Sequence, residues 1–347
     1  MRAARLHRYD TTLEGPEYLV LEEVPDPEIR EPDDVIVRIE GAGVCRTDLH
    51  IIEGQFSDRV PVVLPYIPGH ENAGSVVAVG PEVKGFRPGD PVIVYPQITD
   101  GTCLACRRGE DMHCENGDFP GLTRDGGFAE YLLTKVRNLV RLPEGVSPRA
   151  VAPHADAGLT AYHAVKRAVR WLEPGDTVAL IGFGGLGHIA LQLLHALAPV
   201  RVVVIDRSEQ ALALARELGA TATVQAQNDP VSQVRELTGG RGAAVVLDFV
   251  GEGNTPRQGL AMTRRGGAYF VIGYGGRLDV PTMELVDQEK TIVGNLVGTY
   301  AELVELMELV ADGRVKLAIT YYPLTQINQA LRDLRDGRVK GRAVVVP

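Results

Sequence analysis

A chain of 347 residues, 45% of them hydrophobic and 39 of them glycine, is long enough for two globular domains rich in tight turns. Its 45 acidic against 36 basic residues leave a net charge of −9. With no basic block, that balance excludes nucleic acid and an anionic membrane surface as expected partners. Four cysteines in so long a chain, behind an N-terminal MRAARLHRYD without a signal peptide's apolar core, predict thiols for metal or catalysis in a cytoplasmic protein rather than a disulfide framework.

The first 150 residues read as mostly β. DVIVRIEGAGVC (34–45) alternates apolar and polar residues, and AGSVVAVG (73–80) and DPVIVYP (90–96) are short apolar runs bounded by Gly, Pro and Asp. FRPGDPV (86–92) is turn chemistry, and no helical period is sustained in this part. After about Pro153 the texture changes. DTVALIGFGG (176–185) reads as a buried strand entering a glycine turn, GLGHIALQLLHALA (185–198) as a helix and RVVVIDRS (201–208) as a second strand. SEQALALARELGA (208–220) is a helix with a Ser208 cap and a Gly219 stop. AAVVLDFVG (243–251) and GAYFVIG (267–273) continue the alternation, which implies a parallel, doubly wound α/β sheet. The amphipathic helix AELVELMELVADG (301–313), then INQALRDLRDG and the strand RAVVVP (342–347), close the chain.

Residues 177–200 carry no Lys, Arg, Asp or Glu, and length alone would permit a membrane span. The glycines of GFGGLG, with Gln192, His195 and Pro199 beyond them, favour a buried strand, turn and packed helix instead. The expected domains are 1–157 and 158–297, with 298–347 returning to the first.

Gly182, Gly184 and Gly187 spell G-x-G-x-x-G between strand and helix, where backbone N–H groups at a helix start can meet a pyrophosphate. Asp206 ends the next strand, nineteen residues after Gly187, placed to take both hydroxyls of an adenosine ribose. A carboxylate there repels a 2′-phosphate, so NAD is expected over NADP, with the adjacent Arg207 able to soften the preference.

In TDGTCLACRRGEDMHC (99–114) the spacing D-x2-C-x2-C-x7-C sets Asp100, Cys103, Cys106 and Cys114 as a four-donor loop for a tetrahedral structural zinc. His113, Glu110 and Asp118 compete for the fourth place, and a Cys103–Cys106 redox pair is the alternative use of the thiols. Cys45, Thr47 and His50 in GVCRTDLH, His70 and Glu71 in GHENAG, and Asp156 in HADAGLT form a second group. Taken singly, each has an ordinary structural use: a small buried thiol, a hydrogen-bonded imidazole, a helix cap.

Jointly, GVCRTDLH, GHENAG, the thiol loop, DAGLTAYHA, GFGGLG with Asp206, and the closing GRAVVVP resemble the zinc-dependent alcohol dehydrogenases of the medium-chain dehydrogenase/reductase superfamily, nearly end to end. The resemblance implies a mainly β, GroES-like, partly open barrel as catalytic domain and a Rossmann-type cofactor domain. It implies two zinc ions per chain, with Cys45, His70 and Asp156 holding the catalytic one and Glu71 beside it. It places Arg46 and Arg342 at the cofactor pyrophosphate, and Gly185, Leu186, Val250, Ile272 and Gly273 among the cofactor-binding positions with the glycine turn, Asp206 and Arg207. Thr47 and His50 become a proton relay from an alcohol to solvent. Phe56, Phe119, Leu296 and Tyr300 are candidates for the substrate pocket. Many members carry cysteine where Asp100 and Asp156 stand, so both sites here are richer in oxygen.

The implied activity is hydride transfer between a primary or secondary alcohol and NAD, giving an aldehyde or ketone, in a homodimer or homotetramer. A polyol or threonine dehydrogenase of the same superfamily is the rival enzyme. A zinc-free enone or quinone reductase would have no need of Cys45, His70 and Asp156, and a non-catalytic NAD-binding protein no need of a relay.

Overall fold

The alternation beginning at Asp34 becomes an eleven-residue strand, Asp34–Val44, around which one part of the protein is built. In the computed structural model, which describes residues 1–58 and 62–347, two units separate. One comprises residues 1–159, 298–312 and 317–347, the other 160–297 and 313–316. In the first, Asp34–Val44 pairs antiparallel with Glu71–Val79 over most of its length. Its early residues also pair with Tyr131–Lys135, and Ala42 to Val44 pair with the final strand, Arg342–Val346. Irregularities at Ile36/Val37 and Ile39/Gly41 bend it, as bulges do. The sheet order runs Ile319–Pro323, Arg342–Val346, Asp34–Val44, Glu71–Val79, Pro91–Val94, Leu139–Arg141, with an edge at each end. Val35, Val37, Leu49, Phe128 and Val345 lie in its fully buried core, each worth about 1.5–3 kcal/mol on burial.

Helical structure does occur where none is expected from the sequence. Arg46–Ile52 is a seven-residue helix directly after the long strand, and Leu104–Arg107 and Pro148–Val151 are single turns. Two turns or fewer are too short for a 3.6-residue period to register, while the tertiary core holds them in place.

The second unit is a six-stranded parallel sheet whose strands, by first residue, stand in the order 222, 201, 177, 243, 263, 291. Thr177–Ile181 is buried throughout. The order reverses between its end and that of Ala243–Asp248, and a crevice at such a point is where doubly wound sheets take ligands. The uncharged stretch 177–200 is this strand, the glycine turn and the helix Gly187–Leu197. No helix among the described residues is long and apolar enough to cross a membrane. Ser208 Oγ accepts from Ala211 N at 3.3 Å to cap Glu209–Glu217, and Gly219 stops that helix at φ +91°. The helices Pro230–Leu237 and Thr255–Met262 fill the later crossovers, each opened by a proline in its first turn, where the missing N–H costs nothing.

Candidate functional site

Cys45 is the residue on which the long strand turns into the Arg46–Ile52 helix. Asp48, three residues on, accepts a hydrogen bond from Cys45 N at 2.8 Å through Oδ2. Its other oxygen, Oδ1, lies 3.3 Å from His70 Nδ1, and Asp156 Oδ2 lies 3.4 Å from His70 Nε2. Cys45, His70, Glu71 and Asp156 each bring a donor atom within 4.8 Å of the others. Neither His70 nitrogen makes a hydrogen bond among the described residues, though the side chain is only 1% exposed. Burial acts to keep that imidazole neutral, and the carboxylates of Asp48 and Asp156 outweigh it, raising its pKa well above the ordinary value. A buried imidazole that faces carboxylate oxygens without a well-formed hydrogen bond, beside a thiol, is a donor set that fits a divalent cation such as zinc. Asp48 escaped the sequence reading although it stands in CRTDLH; an acid three residues after a helix cap was the available signal.

Both oxygens of Glu71, although it belongs to that cluster, are engaged by other groups. Oε1 accepts from Ala157 N at 3.1 Å, and Oε2 is ion-paired with Arg342 Nη2, both side chains buried. Gly43 is pressed so closely on this pair that a Cβ there would stand 1.9 Å from Glu71 Oε2. Arg342 is thus spent on Glu71 inside the unit, and its buried Nε makes no hydrogen bond among the described residues. Arg46 is exposed, with Nε 3.4 Å from His50 Nε2. His50 is buried and Thr47 half-buried on the same helix. Phe119 stands edge-on to His70 at 6.2 Å between ring centroids, and Phe56 to His50 at 6.4 Å. Tyr300 donates through its hydroxyl to Leu139 O at 2.9 Å. Leu296 is exposed.

In the thiol loop, Asp100, Cys103, Cys106 and Cys114 bring one donor atom each within 4.8 Å of one another, and all three cysteines are free thiols. Ligands about 2.3 Å from a tetrahedral ion stand roughly 3.8 Å apart, so this set can close on one zinc. His113 and Glu110 are exposed and outside the cluster, and Asp118 is engaged with Thr123 and Arg124. Asp100 Oδ1 accepts from Cys103 N at 2.9 Å and Thr102 N at 2.7 Å, and Oδ2 accepts from Asn116 Nδ2 at 2.6 Å. These donors, Cys103 N foremost, hold its carboxyl below the usual carboxylate range. The Cys106 amide lowers the Cys103 thiol, while burial pushes Cys106 up to about 12.

The glycine turn lies in the second unit. Gly182 has φ +87°, a conformation that side chains with a Cβ rarely adopt. A Cβ on Gly187 would lie 2.1 Å from Gly182 O, whereas one on the exposed Gly184 would meet nothing within 4 Å. That leaves the middle glycine open to a phosphate's close approach. Gly185 and Leu186 lead into the Gly187–Leu197 helix. Asp206 Oδ2 accepts from Phe183 N at 2.6 Å and Oδ1 from Ser208 N at 2.8 Å, which fixes the carboxylate at the turn beside an exposed Arg207. Val250 packs at Gly182, and the backbone of Gly273 comes up against Val250. Ile272 is buried next to it.

Two family models match the chain: an alcohol dehydrogenase GroES-like domain over residues 31–144 and a zinc-binding dehydrogenase over residues 185–312. The chain is similar to the D-arabinose 1-dehydrogenase (NADP(+)) of Saccharolobus solfataricus, 38% identical over 93% of this chain and 94% of the relative. It is likewise similar to the NAD-dependent alcohol dehydrogenase of Sulfolobus acidocaldarius, 35% identical over 99% of both. Among solved structures, the alcohol dehydrogenase of the hyperthermophilic archaeon Aeropyrum pernix superposes with a TM-score of 0.95 at 48% identity, covering 100% of both chains.

The contact at Gly43 makes a prediction about the Glu71–Arg342 pair. Gly43→Ala must drive Glu71 off Arg342, and separating a buried pair costs about 3–5 kcal/mol. Urea unfolding of the variant is expected to show a loss of that order. A loss below about 1 kcal/mol would mean that the strand yields and the pair survives.

Proposed function

The chain belongs to the zinc-binding alcohol dehydrogenases with a GroES-like domain, and from that premise we propose that it oxidises alcohols to aldehydes or ketones with NAD as hydride acceptor. The observation that carries the reading is the buried His70, with no hydrogen bond of its own, set between Asp48 and Asp156 beside Cys45. In our assignment Cys45 Sγ, His70 Nε2 and a carboxylate oxygen of Asp156 hold the catalytic zinc, with Glu71 behind them. Asp100, Cys103, Cys106 and Cys114 hold a second, structural zinc. The glycine turn, Asp206, Arg207, Val250, Ile272 and Gly273 bind NAD, and Arg46 and the free Nε of Arg342 serve its pyrophosphate.

Bound zinc supplies Lewis acidity that eases loss of an alcohol's proton, and NAD supplies the hydride acceptor. The chain's own side chains do the rest. Asp48 fixes the His70 ring, as a carboxylate behind a ligating imidazole does. Phe119 offers an apolar, aromatic wall beside His70. Thr47 Oγ would accept the alcohol's proton as its own hydroxyl proton passes along the relay to His50, which would release a proton to solvent. The relative that acts on D-arabinose keeps a sugar or polyol reading in view. A panel of primary, secondary, aromatic and polyol substrates, followed by NADH absorbance, separates the two. Exposed Tyr274, Leu278, Met283 and Val286 in the second unit support a homodimer or homotetramer, which light scattering measures. Cytoplasmic placement belongs to the same reading.

Metal analysis is expected to find two zinc ions per chain. Asp100→Ala should release about one of them and lower the unfolding temperature, with the other retained. Loss of that zinc from His113→Ala, with Asp100→Ala unaffected, would reassign the fourth ligand.

NAD is expected to outcompete NADP, since Asp206 would face a 2′-phosphate charge to charge. Asp206→Ser should shift the ratio of kcat/KM values toward NADP, with Arg207 then available to the phosphate. Equal kcat/KM for both cofactors in the unaltered enzyme would refute the assignment.

His50→Gln should leave zinc content and NAD affinity nearly intact, because His50 meets neither metal nor reacting carbon in this scheme. It removes the imidazole that would pass the proton on. Alcohol oxidation should therefore slow, its pH–rate curve should change shape, and small amine buffers should restore part of the rate. A variant with a normal pH–rate curve and no response to such bases would leave Thr47 and water as the exit.

A further inference from the structure

The cofactor-binding positions of the second unit include Val250, Ile272 and Gly273, yet none of these explains what holds the two loops that carry them. Asp248 does. It ends the Ala243–Asp248 strand with no exposure to solvent. Its Oδ1 accepts from Val250 N and Gly251 N, both at 2.9 Å, and its Oδ2 accepts from the Tyr269 hydroxyl at 2.8 Å. Its carbonyl oxygen accepts from Ile272 N at 3.0 Å and Gly273 N at 2.9 Å. One residue thus fastens the loop after its own strand and the loop after the neighbouring strand, Thr263–Val271.

The fastened loops meet the glycine turn. A Cβ on Gly182 would stand 2.6 Å from Val250 Cγ2, and one on Gly251 would stand 2.0 Å from Gly273 O. The three backbone segments are therefore interlocked at the point where the strand order reverses. Tyr269 is seated from the other side, where a Cβ on Gly259 would lie 2.4 Å from its ring. Burial, reinforced by the Asp248 carboxylate, pushes the Tyr269 phenol above its ordinary pKa, so its hydroxyl keeps the proton it donates. A fully buried carboxylate satisfied by neutral donors is costly, and an apolar strand end would be cheaper for stability alone. The expense makes sense if the direction of the loop amides matters.

We propose that Asp248 and Tyr269 are positioning residues for the cofactor: together they lock the Val250–Gly251 loop against the dinucleotide turn before NAD arrives. The inference rests on the reading that this unit binds NAD. Neither side chain touches the cofactor, and both act through Val250, Gly251 and Gly273. Preorganisation of this kind shows as affinity, because an ordered loop has less freedom to lose on binding.

The test uses zinc-loaded enzyme and the variants Tyr269→Phe and Asp248→Asn. The first removes one donor but keeps the ring on Gly259, and the second keeps the shape and one acceptor. Calorimetric NAD titration and steady-state kinetics are read together with the unfolding temperature. Tyr269→Phe is expected to raise the Kd and KM for NAD about fivefold, with kcat at saturating NAD and the KM for alcohol within twofold. Asp248→Asn is expected to raise the same two constants further. Folded variants with a lowered unfolding temperature and an unchanged NAD Kd would make the pair purely structural and overturn the proposal. Should either variant fail to fold, amide hydrogen exchange in the unaltered enzyme without NAD decides. Protected Val250 and Gly251 amides are expected, and exchange at loop rates would overturn the lock. Absence of NAD binding by the unaltered enzyme would instead refute the proposed function.

Discussion

Glu71 is where four segments of the first unit are tied together. It follows His70 directly, takes the amide of Ala157 next to Asp156, and pairs with Arg342 at the head of the last strand. It also presses on Gly43, two residues before Cys45. The three residues assigned to the catalytic metal are thus spaced by one buried ion pair and not by the loops that carry them. Burial pushes the Glu71 carboxyl up to about 7, and the Arg342 guanidinium acts against that rise. Arg342 cannot lose its proton, so without Glu71 it would be left as a buried, uncompensated charge.

The two units meet the problem of holding a charged ligand in opposite ways. The first gathers ionisable donors in the interior: thiol, imidazole and carboxylate are placed within reach of one another and stripped of water. That arrangement is uneasy by itself, since neither His70 nitrogen makes a hydrogen bond among the described residues, and a cation would resolve it. The second unit gathers almost no charge at its turn. It relies on glycines that let backbone amides and a helix start come close, with the single carboxylate of Asp206 fixed by Phe183 N and Ser208 N. Here the ligand brings the charge and the protein brings dipoles.

What the sequence made legible was local. The glycine turn, the Ser208 cap, the D-x2-C-x2-C-x7-C loop and the strand–helix alternation are all written within about twenty residues, the reach over which periodicity and spacing carry information. The parts that stayed hidden depend on distant pairing or on very short elements. Nothing in GHENAG announces that Glu71 meets a residue 271 positions away, and Asp248 gives no sign that it receives the Tyr269 hydroxyl. The Arg46–Ile52 helix was missed because two turns leave no period, and Asp48 with it. The hydrogen bonds of Tyr300, through its hydroxyl to Leu139 O and through its amide to Asp111, join residues 161 and 189 positions apart and are equally hidden in the sequence.

Asp100 and Asp156, the two aspartates of the donor sets, are used differently in the same geometry. Exchanging a thiolate for a carboxylate conserves the charge of a donor set while shortening the metal bond from about 2.3 to about 2.0–2.2 Å. A carboxylate also has hydrogen-bonding capacity that a thiolate largely lacks. Asp100 uses that capacity on Thr102 N, Cys103 N and Asn116 Nδ2, so the residue that completes the donor set also folds the loop presenting the other three. Asp156 is the contrasting case. Its side chain is 15% exposed, against 0% for Asp48 and Glu71, and it stands at the start of the Ala157–Ala168 helix, where the backbone dipole favours negative charge. At Asp100 the oxygen-rich site is tied down by its own backbone; at Asp156 the carboxylate keeps one side toward water. The Asp100 carboxylate therefore stiffens its own loop, while the Asp156 carboxylate remains partly accessible.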